Sequence, residues 1–316
     1  MLEGNHCSFV IKIGIELGIR APLDAIKRAV QIADSNSLEY FLVPETHPKV
    51  FGVDALDSLL KMSEKVNHVK LGTGIINVFS RTKEEILESV NQIHTKTGGK
   101  FVLGIGTSAP VIIEKMWKME FKKPISRLKE YTKFLKMNYP GPVYWAAVGE
   151  KTTKLAAENA DGVIFFLKPK IQISNHIDMI NYTLGSANKI NEFNVISIIP
   201  TFFEENSNQA KMTLASYIGA NEFYSAPLAN AGFKEEVEKI KDSYNKVGLK
   251  DAAQNVGEAL LDELTISGSV ESCKEKICKI IENTRLKTII LGFDLPEDKY
   301  TDDFFEKLDK LLKSLQ

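Results

Sequence analysis

Little in the chain would mark a secreted, metal-binding or membrane protein. Its 316 residues include three cysteines, Cys7, Cys273 and Cys278, which make neither a disulfide framework nor a zinc-ligand spacing. Cys273 recurs with Val270, Ile277 and Ile281 at helical spacing and reads as a small apolar group. The five histidines show no ligand spacing, so no metal site is expected. Met1 to Ser8 is polar, and Lys12 and Glu16 interrupt the apolar run after it, so the expectation is a cytoplasmic protein without a signal peptide. No uninterrupted apolar stretch reaches the length of a membrane span, which argues against a membrane partner. Forty Lys and Arg residues against 41 Asp and Glu give a formal charge of −1, without the global basic field of a nucleic-acid binder. The small basic clusters, Lys122-Lys123 and Lys168-Pro-Lys170, read first as solvated helix ends, with an anion site as the alternative.

Hydrophobic content is 44%, enough for a large core. Apolar runs of strand length alternate with helical patterns throughout: Phe9 to Ile15, Tyr40 to Val43, Val69 to Thr73, Phe101 to Ile105, Val143 to Ala147, Val163 to Leu167, Val195 to Ile199 and Thr288 to Leu291. Most are continuous, as in parallel strands buried on both faces. Pro22 opens the first helix, Thr82-Lys-Glu-Glu85 is a capping-box pattern, and Asp302 to Ser314 forms the last helix. Eight strand–helix units make a closed (β/α)8 barrel the leading fold, with an open doubly wound sheet as the competitor. No linker divides residues 1–316, so one domain is expected. The largest departure from the repeat, about 201–283, is a helical insertion between strands 7 and 8, with Asn221 to Gly232 as an apparent loop. In a barrel it would cover the mouth or build a subunit contact.

The order Ile13-Gly-Ile-Glu16, Val43-Pro-Glu45, Leu71-Gly-Thr-Gly-Ile75, Leu103-Gly-Ile-Gly106 and Ala147-Val-Gly-Glu150 resembles the luciferase-like flavin and deazaflavin oxidoreductases. Within that superfamily it is most similar to the coenzyme F420-dependent 5,10-methylenetetrahydromethanopterin reductases. The similarity runs from about Ile11 to the C-terminus, including Leu264-Thr-Ile-Ser-Gly268. It implies a luciferase-like TIM barrel, often homodimeric, with an isoalloxazine-like ring of F420 (alternatively FMN) at the C-terminal mouth. It also implies a cis peptide at Gly74-Ile75, bulging the third strand beside Thr73 against the back of the ring. The implied activity is hydride transfer between the deazaflavin and a one-carbon pterin-type or related small substrate. The rivals are an FMN-dependent luciferase-like monooxygenase and a non-catalytic flavin-binding paralogue, whose mouth would be plugged by Phe79, Phe165 or Phe166. The chain departs from the family pattern in three places. Glu45-Thr46, with His47 one position late, replaces Asp-His; Gly72-Thr-Gly74 replaces Gly-Pro-Gly; and the stretch from the fourth helix to Pro142 is short.

The candidate site residues lie at these strand ends. Gly149 begins a helix with Glu150, Lys151 and Thr152 in its first turn, and free amides there suit a phosphate. On the residues alone a plain glycine turn is an even alternative; the resemblance favours a phosphate on the turn from Ala147 and Val148 to Lys151. Gly104-Ile-Gly106-Thr-Ser-Ala109 fits a dinucleotide fingerprint only formally, because it follows the fourth strand and no convincing acid follows about 20 positions on. It reads instead as a barrel loop where glycine lets the cofactor lie close. Asn77 offers a donor and an acceptor to a ring edge or ribityl hydroxyl, and Arg81 offers a cation to phosphate or an acidic tail. A turn residue and a cation near Glu84-Glu85 are their plainer readings. Glu16 and Glu45, after inner strands, are the catalytic candidates; by resemblance, Glu16 faces the substrate.

Overall fold

Continuous apolar runs become strands covered on both faces. The computed structural model describes residues 11–45, 53–204 and 208–316; Cys7, Thr46, His47 and the first two residues of the Phe9–Ile15 strand candidate lie outside them. Eight parallel strands form the barrel: β1 (Lys12–Leu17), β2 (Tyr40–Val43), β3 (Lys70–Thr73), β4 (Phe101–Gly106), β5 (Val143–Ala146), β6 (Gly162–Phe166), β7 (Asn194–Phe202) and β8 (Thr288–Phe293). Each pairs with the next. β8 pairs with β7 through Ile290↔Ile198 and with β1 through Ile290↔Gly14, so the sheet closes and the open doubly wound alternative falls.

Side chains alternate between two cores. Tyr40, Leu42, Val102, Tyr144, Ile164, Ile196, Ile198 and Ile290 fill the barrel interior, so it is a packed core and not a pore. The larger cluster, including Ile15, Phe41, Leu103, Trp145 and Phe165, lies between sheet and helices. The helices meet it with the apolar faces their spacing predicts. α1 (Leu23–Ser35), entered from Pro22, buries Ala25, Ile26, Ala29, Val30 and Ala33. After α2 (Ala55–Met62), α3 (Lys83–Lys96) opens with the reciprocal Thr82–Glu85 capping box. α4 (Pro110–Lys115) and α5 (Pro124–Asn138) follow β4, and α6 (Glu150–Asn159) follows β5. α7 (Lys170–Leu184) and α8 (Ala187–Glu192) follow β6.

Between β7 and β8 come α9 (Asn208–Ala220), α10 (Glu222–Leu228), α11 (Lys234–Lys246), α12 (Leu249–Gln254) and α13 (Glu258–Leu264). They share an apolar cluster that includes Leu214, Ile218, Leu228, Ile240 and Leu260. The chain then returns to the barrel: Ile266–Ser267 pairs with the end of β7, and α14 (Val270–Thr284) leads into β8. The loop expected over Asn221 to Gly232 is instead helical from Glu222 up to a kink at Gly232. Asn221 caps α10 by accepting the Phe223 amide, Pro227 sits late in that short helix, and a π-turn over Ala229–Phe233 absorbs the break, with Gly232 at φ 102°. Proline and glycine here mark a kink between two helices, with Gly232 the non-helical residue at the break. Cys273 is buried and free in α14, whereas Cys278 is disulfide-bonded, a pairing the cysteine count did not predict. α15 (Asp302–Ser314) is the last helix. No helix among the described residues is long and apolar enough to cross a membrane.

Candidate active site

At the C-terminal ends of β3 and β4 the ladder loses its register. Gly72 faces Val102, but the next paired residue on that side, Ile76, faces Ile105: four steps of chain on one strand stand against three on its neighbour. Thr73-Gly-Ile75 is therefore a β-bulge, and its Gly74–Ile75 peptide is cis. A bulge leaves backbone groups without ladder partners. The buried Thr73 hydroxyl takes both groups of Gly104, donating to its carbonyl at 2.8 Å and accepting from its amide at 2.9 Å. A Cβ on Gly104 would overlap the Thr73 carbonyl oxygen, and one on Gly106 would stand 3.0 Å from Ile75 Cδ1. These two glycines thus make room for the bulge itself, more directly than for a ligand. Thr73→Val keeps the volume and removes the hydroxyl; stability should fall by about 2 kcal/mol or more in urea denaturation, because two buried backbone groups lose their partner.

Glu16 closes the floor beside the bulge. It is 6% exposed, and its Oε1 has no hydrogen-bond partner. A Cβ on Gly74 would overlap that oxygen, and one on Gly292 would stand 3.7 Å from Oε2, so the carboxyl lies between two residues that lack side chains. Burial pushes Glu16 well above the usual carboxylate range, and the neighbouring Asp294 pushes it the same way. Burial also raises Asp294, against the opposing pull of Arg20, whose Nε is 3.4 Å from Asp294 Oδ1. Burial and the Asp294 charge both favour the neutral acid for Glu16.

Phe166, at the end of β6, meets Tyr217 of α9 and Tyr224 of α10 in a triangle of edge-on rings, with centroids 5.1, 5.3 and 5.9 Å apart. The charges of Asp294 and Glu16 act on the Tyr217 hydroxyl, so the insertion brings its aromatics to the Glu16 side of the mouth. Of the three phenylalanines that would plug a degenerate site, only Phe166 packs against the inner core. Phe79 stacks on Phe121 and Phe165 packs edge-on to His176, both in the outer layer.

Glu45, Asn77 and Arg81 are engaged by the protein. Glu45 accepts from the Ser80 hydroxyl and from Arg81 Nη2, each at 2.9 Å, and Arg81 Nη2 also reaches Asp54 Oδ2 at 2.5 Å. Burial raises Glu45, and Arg81 opposes it. Arg81 Nε is buried without an acceptor among the described residues. Asn77 Oδ1 accepts the Phe79 amide at 3.0 Å, as a turn residue does.

On the far side, Gly149 caps α6, and its carbonyl accepts the Thr153 amide at 3.0 Å and the hydroxyls of Thr152 and Thr153. The amides of Val148, Gly149, Glu150, Lys151 and Thr152 find no acceptor among the described residues. Ala147 is buried, the Glu150 and Lys151 side chains are exposed, and a Cβ on Gly149 would meet nothing within 4 Å. The turn therefore has the donors and the open space of an anion site.

The Lys168-Pro-Lys170 cluster is not a solvated helix end. Lys168 is 4% exposed and donates to the Val148 carbonyl, while Lys170 Nζ donates to the Thr265 carbonyl at 2.9 Å. The signal that could have led to it is indirect: His176, 2.7 Å from Lys168 Nζ, lies in the apolar stripe Ile173, His176, Ile180 of α7. Lys122 and Lys123 are exposed, before α5.

The luciferase-like monooxygenase family profile matches residues 7–141 and 136–287. A 5,10-methylenetetrahydromethanopterin reductase of Archaeoglobus fulgidus is 21% identical over 321 residues, covering 92% of this chain and 95% of the relative. The coenzyme F420-dependent tetrahydromethanopterin reductase of Methanopyrus kandleri superposes with a TM-score of 0.79 at 17% identity, over 98% of this chain and all of the other. The oxygenating constituent of 3,6-diketocamphane monooxygenase of Pseudomonas putida, solved with FMN, superposes at 0.66 with 12% identity, over 97% and 98% of the two chains. At these identities the two superpositions establish the barrel fold.

Proposed function

Because the chain belongs to the luciferase-like monooxygenase family, we propose that it is a coenzyme F420-dependent oxidoreductase acting on a one-carbon pterin-type or related small substrate. The observation that carries the reading is the buried, unpartnered Glu16 carboxyl set against the Thr73–Ile75 bulge. The relative from Archaeoglobus fulgidus supports the choice of substrate class. The residues present fit such a cofactor at one end: the free amides from Val148 to Lys151 suit a phosphate, and Gly149 leaves space before them. A bound deazaflavin supplies hydride chemistry that no side chain has.

The protein's part is positional and protic. Thr73, Gly104 and Gly106 hold the bulge in shape, and Ile75 would offer an apolar surface to a bound ring. Asn77 and Arg81 hold the wall through their turn and ion pairs, with Arg81 Nε the donor still free. Phe166, Tyr217 and Tyr224 exclude water on the substrate side. Glu16 holds a proton beside the substrate and orients it, and Glu45 keeps the second-strand loop in register with the third.

Anaerobic titration with oxidised F420 and with FMN in parallel tests this. F420 should bind at least about tenfold more tightly than FMN, a difference of about 1.4 kcal/mol. Reduced F420 should then be oxidised when methylenetetrahydromethanopterin is added. Tighter binding of FMN moves the reading to the monooxygenase alternative, and binding of neither moves it to the non-catalytic paralogue.

A further inference from the structure

Lys168 is a buried cation that the proposed function leaves unused. Its ammonium donates to the Val148 carbonyl at 2.6 Å and lies 2.7 Å from His176 Nε2. His176 Nδ1 is 2.9 Å from the Gln172 carbonyl, which can only accept, so Nδ1 carries the proton and Nε2 offers its lone pair to Lys168. The Phe165 ring lies 5.5 Å from the ammonium. All three neighbours are neutral. The acid whose charge reaches Lys168 is Glu150, an exposed side chain on α6, and no carboxylate among the described residues is bonded to it. A buried ammonium without a counter-ion is costly, and burial pulls Lys168 down to about 7. Burial and Lys168 together hold His176 below its usual range as well.

The position of the ammonium gives this arrangement a direction. The carbonyl it holds belongs to the peptide whose N–H is that of Gly149. In a trans peptide the two groups point opposite ways, so anchoring the Val148 oxygen turns the Gly149 amide away from Lys168. That amide is one of the five without an acceptor. We propose that Lys168, fixed by His176, is the positioning cation of the Val148–Thr152 turn, and that its missing counter-ion is the phosphate of the bound cofactor. This rests on the proposed function only in placing the cofactor's anionic tail at that turn.

Linkage gives the sign. The protonated ammonium favours the anion, and the anion favours the protonated ammonium. Anion affinity therefore falls as pH rises past neutrality, and binding takes up a proton there. The test measures the affinities of F420 and of its phosphate-free deazaflavin alcohol between about pH 6.5 and about pH 9. Both ligands share the titrating ring, so the ratio of affinities isolates the tail. In the wild type the ratio should fall about tenfold across the range. Lys168→Met should give a low, level ratio, and Lys168→Arg, whose charge does not titrate, a level one. A wild-type ratio as level as that of Lys168→Met overturns the inference.

A second measurement needs no coenzyme. In the free protein carrying 13C-labelled lysine, sodium sulfate should raise the titration midpoint of Lys168 relative to sodium chloride of equal ionic strength. An unmoved midpoint overturns the inference even where F420 binds. A midpoint moved by sulfate in a protein that binds neither F420 nor FMN sustains the anion turn and removes the function proposed above.

Discussion

Glu16→Gln is expected to lower turnover by about a hundredfold or more while making the protein no less stable at pH 8. Glutamine keeps the shape and removes the transferable proton. The stability effect follows from the raised pKa of the buried carboxyl. Above its ordinary value of 4.5 the unfolded chain releases a proton that the folded protein retains. The wild-type contribution is therefore fully present below that pH and is lost as pH rises through the folded value. Glutamine does not titrate, so melting temperatures of variant and wild type should diverge in favour of the variant between about pH 5 and about pH 8. Unchanged turnover, or a stability difference that does not vary with pH, would count against the role given to Glu16.

The second large effect separates two neighbouring glycines. Gly104→Ala puts a methyl against the Thr73 carbonyl oxygen and 2.7 Å from Ile164 Cδ1, so backbone must move. It should cost at least about 2 kcal/mol in urea denaturation, within the range for overpacked cores. Gly74→Ala overlaps only the end of the Glu16 side chain, which can swing aside. Its stability should change by less than about 1 kcal/mol, yet its turnover should fall as in Glu16→Gln. Equal instability of the two variants would mean that Gly74, like Gly104, holds the bulge and does not merely leave room for Glu16.

Much of the barrel was legible because strands buried on both faces must be largely apolar, and runs such as Tyr40 to Val43 and Ile289 to Leu291 are. Helix starts were legible where chemistry is local, as in the Thr82–Glu85 box. What pattern could not give was partnership across the chain. Glycines at 104 and 106 suggested a close approach without naming Thr73 and Ile75 as what approaches. Arg81 read as an anion ligand or a cation near Glu84-Glu85 because its partners Glu45 and Asp54 are remote in sequence. Lys168 looked solvated because a lysine between Leu167 and proline carries no sign of the carbonyl waiting behind it. The loop reading at Asn221 to Gly232 failed because Pro227 and Gly232 mark bends, and whether a bend leaves helix on both sides depends on packing.

The Arg81 guanidinium joins Glu45, just after β2, to Asp54, the residue that caps α2. Both acids are thus tied to the chain after β3 by one cation. A single guanidinium therefore ties the end of β2 to the start of α2, and its loss would release both at once.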